Sequence, residues 1–433
     1  MTTAGGVTAG GTAAGGTAAV IAAAGLVART TELPDLADLR HLAGPDGLLW
    51  RDEHGGLVGH GTAIRLSLPG GLADAEAVRS VSETLRALAV EDHVGLPGCG
   101  PVAMGALPFD PTAPASLVVP QRIIGRHEGR AWLTTIGPAD QVPAASPADS
   151  LGGAEGGEPP DEFTLTPSLS HAEWKAIVAS AVERIEAGEL RKVVLARRID
   201  IAANRPFIVA DVLARLEALY PSCMVFSMAG FIGASPELLI ARHGDQVSSH
   251  PLAGTVARSG DAHSDEVLVA GLMASPKARR EHQVVVDVLR AALAPACAEL
   301  DVPETPSVLG LRNVSHLATK ISGRLRPPTY ETALELVARV HPTPAVGGTP
   351  TAAAVDYLQK VEGFDRHTYA GPVGWVDTRG DGAWALGIRS AEVDGPRARI
   401  FAGNGVVAGS DPDDELAETQ LKLQALLAAL VRP

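Results

Sequence analysis

The run Lys192-Val193-Val194-Leu195-Ala196-Arg197-Arg198-Ile199-Asp200-Ile201 is apolar almost without interruption at its start. A strand exposed on one face alternates apolar and polar side chains, whereas a strand covered on both faces does not. Residues 192–201 therefore read as a buried strand, and the fold can be read outward from it. Upstream, Ser170 and Glu173 form an S-x-x-E capping box, which opens a helix. Trp174, Ile177, Val178, Ala181, Val182 and Ile185 follow at helical spacing, and Gly188 suits the residue just past the helix end.

Downstream, the pattern predicts a helix over 209–219 and strands over 224–228, 231–234 and 238–241. Ser275-Pro276 marks another helix start, running through residue 288. Past residue 370 comes a meander of strands over 373–377, 383–393 and 398–402. A last helix opens at Asp411-Pro412 and carries Leu416, Leu423, Leu427 and Leu430 as a stripe. Residues 45–137 are Gly-punctuated short β-type runs, with one helix over 73–88. No repeat of 20–50 residues is present. The expected class is α+β, with large, mostly antiparallel sheets sandwiched with helices rather than a βαβ series.

Residues 1–30 are dominated by Thr, Ala and Gly and read as a low-complexity tail. Residues 138–160 hold Ser, Pro, Gly and acids without periodicity and read as a surface loop. That loop is placed inside one large domain over 31–433, between an N-terminal portion (31–137) and a core carrying the site (161–433).

Composition narrows the partners. The formal net charge is −14, and no basic block stands against it, so nucleic acid is not expected. The three cysteines are far apart, which suggests neither a disulfide framework nor a structural zinc site. The longest early apolar run, 18–28, is too short for a bilayer, which needs about 20 residues. It also lacks a basic leader segment. A cytoplasmic protein with no membrane partner is expected. No extended apolar stripe is left unassigned, so a monomer is expected too.

Lysine is scarce: Lys175, Lys192, Lys277, Lys320, Lys360 and Lys422 stand among many arginines. Lys192 opens the buried strand. It is either a strand-end lysine reaching for water or a desolvated lysine of the kind a general base requires. Glu237 follows the turn Ala234-Ser235-Pro236 between two apolar strands. It is either an exposed turn acid or a carboxyl kept protonated by apolar surroundings. Glu281 falls on the apolar face of its helix with Val285, Val288 and Ala292, a costly place unless paired or metal-bound. Glu415, Glu418 and Lys422 make one stripe on the last helix, as a solvated Glu–Lys pair or a ligand set. Glu281 and Glu418, from distant helices, would suit a Mg²⁺ that keeps several waters.

Arg389 ends an alternation whose own face is otherwise Ala385 and Gly387, leaving room before its guanidinium. A strand-surface arginine and a carboxylate clamp both fit that pattern. Gly403-Asn404-Gly405-Val406-Val407-Ala408 matches G-x-G-x-x-A, but no helix starts within it. It reads instead as a glycine turn whose N–H groups approach an anion. His243 and His250 flank a hairpin turn, a weak metal pattern. His316 is either a core histidine or an active-site donor.

These residues, with Lys192–Arg197, Gly233–Glu237, Pro251–Thr255, Glu281-His282, His316-Leu317, His341–Ala345, Phe364-Asp365-Arg366, Tyr369–Trp375, Gly387-Ile388-Arg389 and Glu418-Thr419-x-x-Lys422, resemble the chorismate-utilising enzymes. The match runs in order from about residue 45 to 430. Within the family it is most similar to the isochorismate synthase branch, as is Gly105–Asp110. The resemblance implies an anthranilate-synthase-component-I-like fold and a Mg²⁺-dependent, reversible conversion of chorismate to isochorismate, feeding menaquinone or siderophore synthesis. It implies Lys192 as base, Glu237 as acid, and His316 near the enolpyruvyl side. It implies Glu281 and Glu418 as metal ligands, with Glu415 beside them. Gly254, Thr255, Ala345, Tyr369, Ile388, Arg389, Gly403 and Lys422 would bind substrate. Anthranilate synthases lack the lysine, while salicylate synthases keep it, tend to carry threonine at the Ala345 position, and eliminate pyruvate. A salicylate synthase and an inactive homologue acting as a binding protein are the two alternatives. Ala278 departs from the family, whose members often have an acid there, one helical turn before Glu281.

Overall fold

The computed structural model describes residues 25–34, 39–44, 47–140, 157–327 and 331–431. Its architecture is α+β and largely antiparallel, as the patterning predicts. A 13-stranded sheet starts at Phe163–Pro167 and runs through Lys192–Ala203, Arg397–Val406, Ser390–Asp394, Phe231–Ser235 and Met224–Met228. It continues through Leu48–Arg51, Gly55–His60, Arg122–His127, Arg130–Pro138 and Leu26–Leu33 to Ala89–Asp92, the last pair being parallel, and the short strand Gly348–Thr349, paired with the start of Lys192–Ala203, is the thirteenth. A nine-stranded sheet faces it and includes Leu238–His243, Gly382–Leu386, Pro372–Asp377 and Val102–Ala106. A three-stranded sheet joins Leu252–Ala257, Val314–Ala318 and Ser307–Gly310.

Side-chain alternation builds two cores on opposite faces of the large sheet. Trp50 pairs with Leu57, and both join the core shared with the nine-stranded sheet. Their neighbours Leu49 and Val58 pair on the other face. There they pack with Leu213 and Leu216 of helix Val209–Leu219 and with Leu423, Leu426 and Leu430 of helix Pro412–Leu430. The Leu416 and Leu427 positions of the expected stripe divide: Leu416 joins the inter-sheet core and Leu427 packs at the margin of the second core. The capping box at Ser170 is formed, and the helix it opens is His171–Glu186.

Several expectations change. Strand Leu26–Leu33 pairs along its length with Arg130–Pro138, so residues 26–30 are sheet and not tail. Residues 1–24 and most of the expected loop, 141–156, lie outside the described residues. Gly403–Val406 is not a turn: it is the end of strand Arg397–Val406, paired with Val193–Ala196. The expected strand over 383–393 breaks at Leu386, and Ser390–Asp394 enters the other large sheet. His243 and His250 flank a hairpin as expected. No group of three or more His, Cys, Asp or Glu side chains able to hold a metal occurs among the described residues. Among the same residues, no helix is long and apolar enough to cross a membrane.

Candidate active site

The two large sheets part where the chain crosses between them. One crossing, Ser235 to Leu238, carries Glu237, and another, Leu386 to Ser390, carries Arg389. The three-stranded sheet closes the gap with Gly254, Thr255 and His316, and helices Pro276–Leu293 and Pro412–Leu430 bring Glu281, Glu418 and Lys422. Of the catalytic, substrate-binding and metal residues that the resemblance implies, all but Lys192 and Glu415 line this one cavity, with Ala345, Tyr369, Ile388 and Gly403 among them. A wider cleft elsewhere, floored by Met104, Met228 and Phe231, holds none of them. Arg399 pairs there with Asp200 and Glu392, Arg397 pairs with Asp394, and Arg65 donates to the Ser116 hydroxyl.

Lys192 is 1% exposed, and its Nζ lies 3.1 Å from Glu281 Oε1 on the cavity wall. The snorkelling alternative is thereby excluded. Room for this pair comes from Gly405, which the sequence reading places in a glycine turn. A Cβ at that position would stand 2.3 Å from Glu281 Oε1 and 2.8 Å from Lys192 Cε. The glycines of this strand thus serve clearance rather than turning. Gly405→Ala is expected to push the Lys192–Glu281 pair apart and to lower kcat by about 10²-fold, since ångström misplacements carry that cost. Steady-state kinetics with retained strand content by circular dichroism would check it.

Glu237 is 4% exposed and accepts a hydrogen bond from the Leu252 N–H at 3.3 Å. Burial pushes its carboxyl up to about 8, against smaller opposing effects of that N–H and of the Lys192 and Lys422 charges. The group is therefore a protonated carboxylic acid at neutral pH. It meets the requirement for a proton donor lining the cavity.

Arg389 is buried, with left-handed backbone at φ 49°. Its Nη2 donates to His316 Nε2 at 3.1 Å. A guanidinium can only donate, so His316 must carry its proton on Nδ1, which faces Thr255 Oγ1 at 3.1 Å. Burial and the Arg389 charge hold the His316 imidazolium form well out of reach. His316 thus has both nitrogens engaged and sits behind Arg389 as a neutral support. Arg389 Nη1 is buried and has no protein partner. An unpartnered charged donor on a residue that lines the cavity fits a carboxylate from a ligand.

Lys422 donates to the Gly403 carbonyl at 2.9 Å and pairs with Glu418 at 2.7 Å. Glu415 departs from expectation. It is 3% exposed, pairs with Lys277 at 3.0 Å, and accepts from Asn404 Nδ2 on its other oxygen. Both carboxylate oxygens are thus taken inside the protein, and the residue does not line the cavity. For a divalent cation the available donors are Glu281 and Glu418, two hard carboxylates lining the cavity, each with one oxygen paired with a lysine. That set fits Mg²⁺, which keeps waters and takes one or two carboxylates plus substrate oxygens. Ala278 is buried with Leu272 and Leu317, and Gly254 packs against it.

Comparison with known proteins agrees with this geometry. The family model for chorismate binding enzymes matches residues 29–431. The isochorismate synthase DhbC of Bacillus subtilis is 38% identical over 341 residues, covering 76% of this chain and 81% of that protein. The isochorismate synthase EntC of Escherichia coli K12 is 34% identical over 341 residues, covering 76% and 80%. The solved structure of MenF, the menaquinone-specific isochorismate synthase from Escherichia coli, superimposes with a TM-score of 0.77 at 26% identity, covering 94% of this chain and 95% of that one.

Proposed function

The chain belongs to the chorismate-binding enzymes, and on that premise we propose that it interconverts chorismate and isochorismate. The observation that carries this reading is a buried lysine against Glu281 of the cavity wall, together with a buried carboxyl, Glu237, that lines the same cavity as Arg389 and Lys422. In the forward direction Lys192 takes a proton from the water that attacks C2 of the ring. The ring double bond shifts, and the C4 oxygen leaves as water after receiving the proton of Glu237. After turnover the lysine holds a proton and the carboxyl has lost one, so the same pair with roles exchanged runs the reverse reaction. Arg389 Nη1 and Lys422 would hold carboxylates of the dianionic substrate, reversing locally the field of a chain whose net charge is −14. Glu281 and Glu418 would hold Mg²⁺, which supplies charge neutralisation at the ring carboxylate.

Lys192 separates this reading from aminating relatives, which activate no water. Ala345, where a threonine accompanies pyruvate elimination, favours release of isochorismate. In this proposal the protein works in the cytoplasm as a monomer, and its product feeds menaquinone or siderophore synthesis. Incubating the pure protein with chorismate and Mg²⁺ is expected to give isochorismate alone, followed by ultraviolet absorbance and chromatography. Salicylate with pyruvate would replace the proposal by the lyase alternative. Tight chorismate binding without turnover would replace it by the binding-protein alternative.

A further inference from the structure

The Lys192–Ala203 strand is unevenly supported along its two edges. One edge is paired without a gap to Arg397–Val406, from Val193↔Val406 to Ala202↔Arg397. The other edge pairs only at its ends. Lys192 and Val193 meet Thr349 and Gly348, and Ile199–Ala203 meet Phe163–Pro167. Between those ends the backbone groups of Val194, Ala196 and Arg198 face an edge without a neighbouring strand. Buried backbone groups need partners. Ser168 supplies them at Arg198, accepting through its hydroxyl and donating through its N–H.

The Val194 N–H donates to the Gly347 carbonyl at 2.8 Å, and the Val194 carbonyl and the Ala196 N–H are met by an ion pair. Glu362 Oε1 accepts from the Ala196 N–H at 2.8 Å. Arg366 Nη2 donates to the Val194 carbonyl at 2.6 Å. Glu362 and Arg366 are 3% and 4% exposed and grip each other through two bonds, Nε to Oε2 at 2.8 Å and Nη2 to Oε1 at 2.5 Å. One acceptor and one donor, side by side, thus take the place of a strand's C=O and N–H. Arg366 Nη1 also donates to the Val346 carbonyl at 2.8 Å, and the guanidinium lies over the Phe109 ring at 4.3 Å. The Arg366 carbonyl accepts from the Tyr369 N–H at 2.8 Å. Val194, Val346 and Tyr369 all line the cavity.

We propose that Glu362 and Arg366 are positioning residues for the reaction, a side-chain stand-in for the missing strand that fixes the segment bearing Lys192 and the cavity wall at Val346 and Tyr369. The pair touches no reacting atom. Its effect passes through the backbone two residues beyond the lysine. This role rests on the isochorismate-forming reading above.

Two variants test it, Arg366→Lys, which keeps the charge but loses the fork, and Glu362→Gln. At a temperature well below unfolding, each is expected to lose kcat by about 10²-fold, with KM for chorismate within about threefold, because geometry and not contact with substrate is lost. A double variant, Glu362→Met with Arg366→Met, is expected to recover thermal stability over the single variants, since it leaves no lone buried charge, yet to stay as inactive. Recovery of kcat together with stability, or single variants that lose only thermal stability, would overturn the proposal. Should the variants not fold, hydrogen exchange on the unsubstituted protein decides. The Ala196 amide is expected to be protected as well as the Leu195 amide in the paired ladder, and exchange at loop rates would overturn the proposal. A wild-type protein that never turns over chorismate would remove the proposal together with the functional reading, and that failure shows itself before any substitution is made.

Discussion

Lys192→Ala is expected to lower turnover of chorismate by about 10³-fold while the protein stays folded. General-base assistance is worth about 10² to 10⁴-fold. His316, which lines the cavity, accepts from Arg389 and faces Thr255 with its proton, and Lys422 is held by Glu418 and the Gly403 carbonyl. The truncation removes the partner of Glu281, whose side chain is 14% exposed and can take water instead. The thermal midpoint should therefore move far less than activity does. Small primary amines in the assay are expected to restore part of the rate, because the missing side chain leaves a space against Gly405 that an amine can enter. Activity equal to wild type would remove Lys192 from its role. Loss of activity with collapse of the thermal transition would show a structural lysine instead.

The chemistry was more legible than the geometry behind it. Lys192 and Glu237 announce themselves because a charged residue opening or joining apolar strands is locally anomalous. The helices were legible for a similar reason, since Ser170 with Glu173 and Asp411 with Pro412 are local signals. Leu26–Leu33 was not, because its partner Arg130–Pro138 lies about a hundred residues away and the preceding Thr, Ala and Gly mask its start. Gly403 and Gly405 read as a turn, since glycine is a turn former by default. Their strand assignment depends on what would collide with a Cβ, and that is set by Glu281 and Lys192 on other elements. Arg389 was found by type but misplaced on a strand, because left-handed backbone at a non-glycine residue has no sequence signature. Glu415 looked like a ligand by its spacing from Glu418. Its diversion to Lys277 and Asn404 follows from three elements meeting. Glu362 was invisible for the same cause: its partner, Ala196, is 166 residues away.

Glu237→Gln is expected to remove the forward reaction almost as fully, and its pH behaviour distinguishes an acid from a mere hydrogen-bond donor. Burial raises the Glu237 carboxyl from the ordinary 4.5 to about 8. The wild-type kcat/KM should accordingly fall on the alkaline side with a midpoint near pH 8, as the free enzyme's carboxyl loses the proton it must deliver. Glutamine keeps the shape and can still donate a hydrogen bond, but it has no proton to transfer to the departing C4 oxygen. A loss of about 10³-fold is expected, with any residual rate flat across that range. Stability changes with the opposite preference. Between pH 4.5 and about 8 the folded protein holds a proton on Glu237 that the unfolded chain has released. Unfolding free energy from this group is fully present below 4.5 and is lost progressively as pH rises through that window. Glu237→Gln should abolish that slope, so the variant is expected to gain on the wild type in thermal midpoint from pH 5 towards pH 8. A variant whose kcat stays within threefold of wild type, or whose stability follows the wild-type pH curve in parallel, would show that Glu237 is neither the acid nor protonated in the folded state.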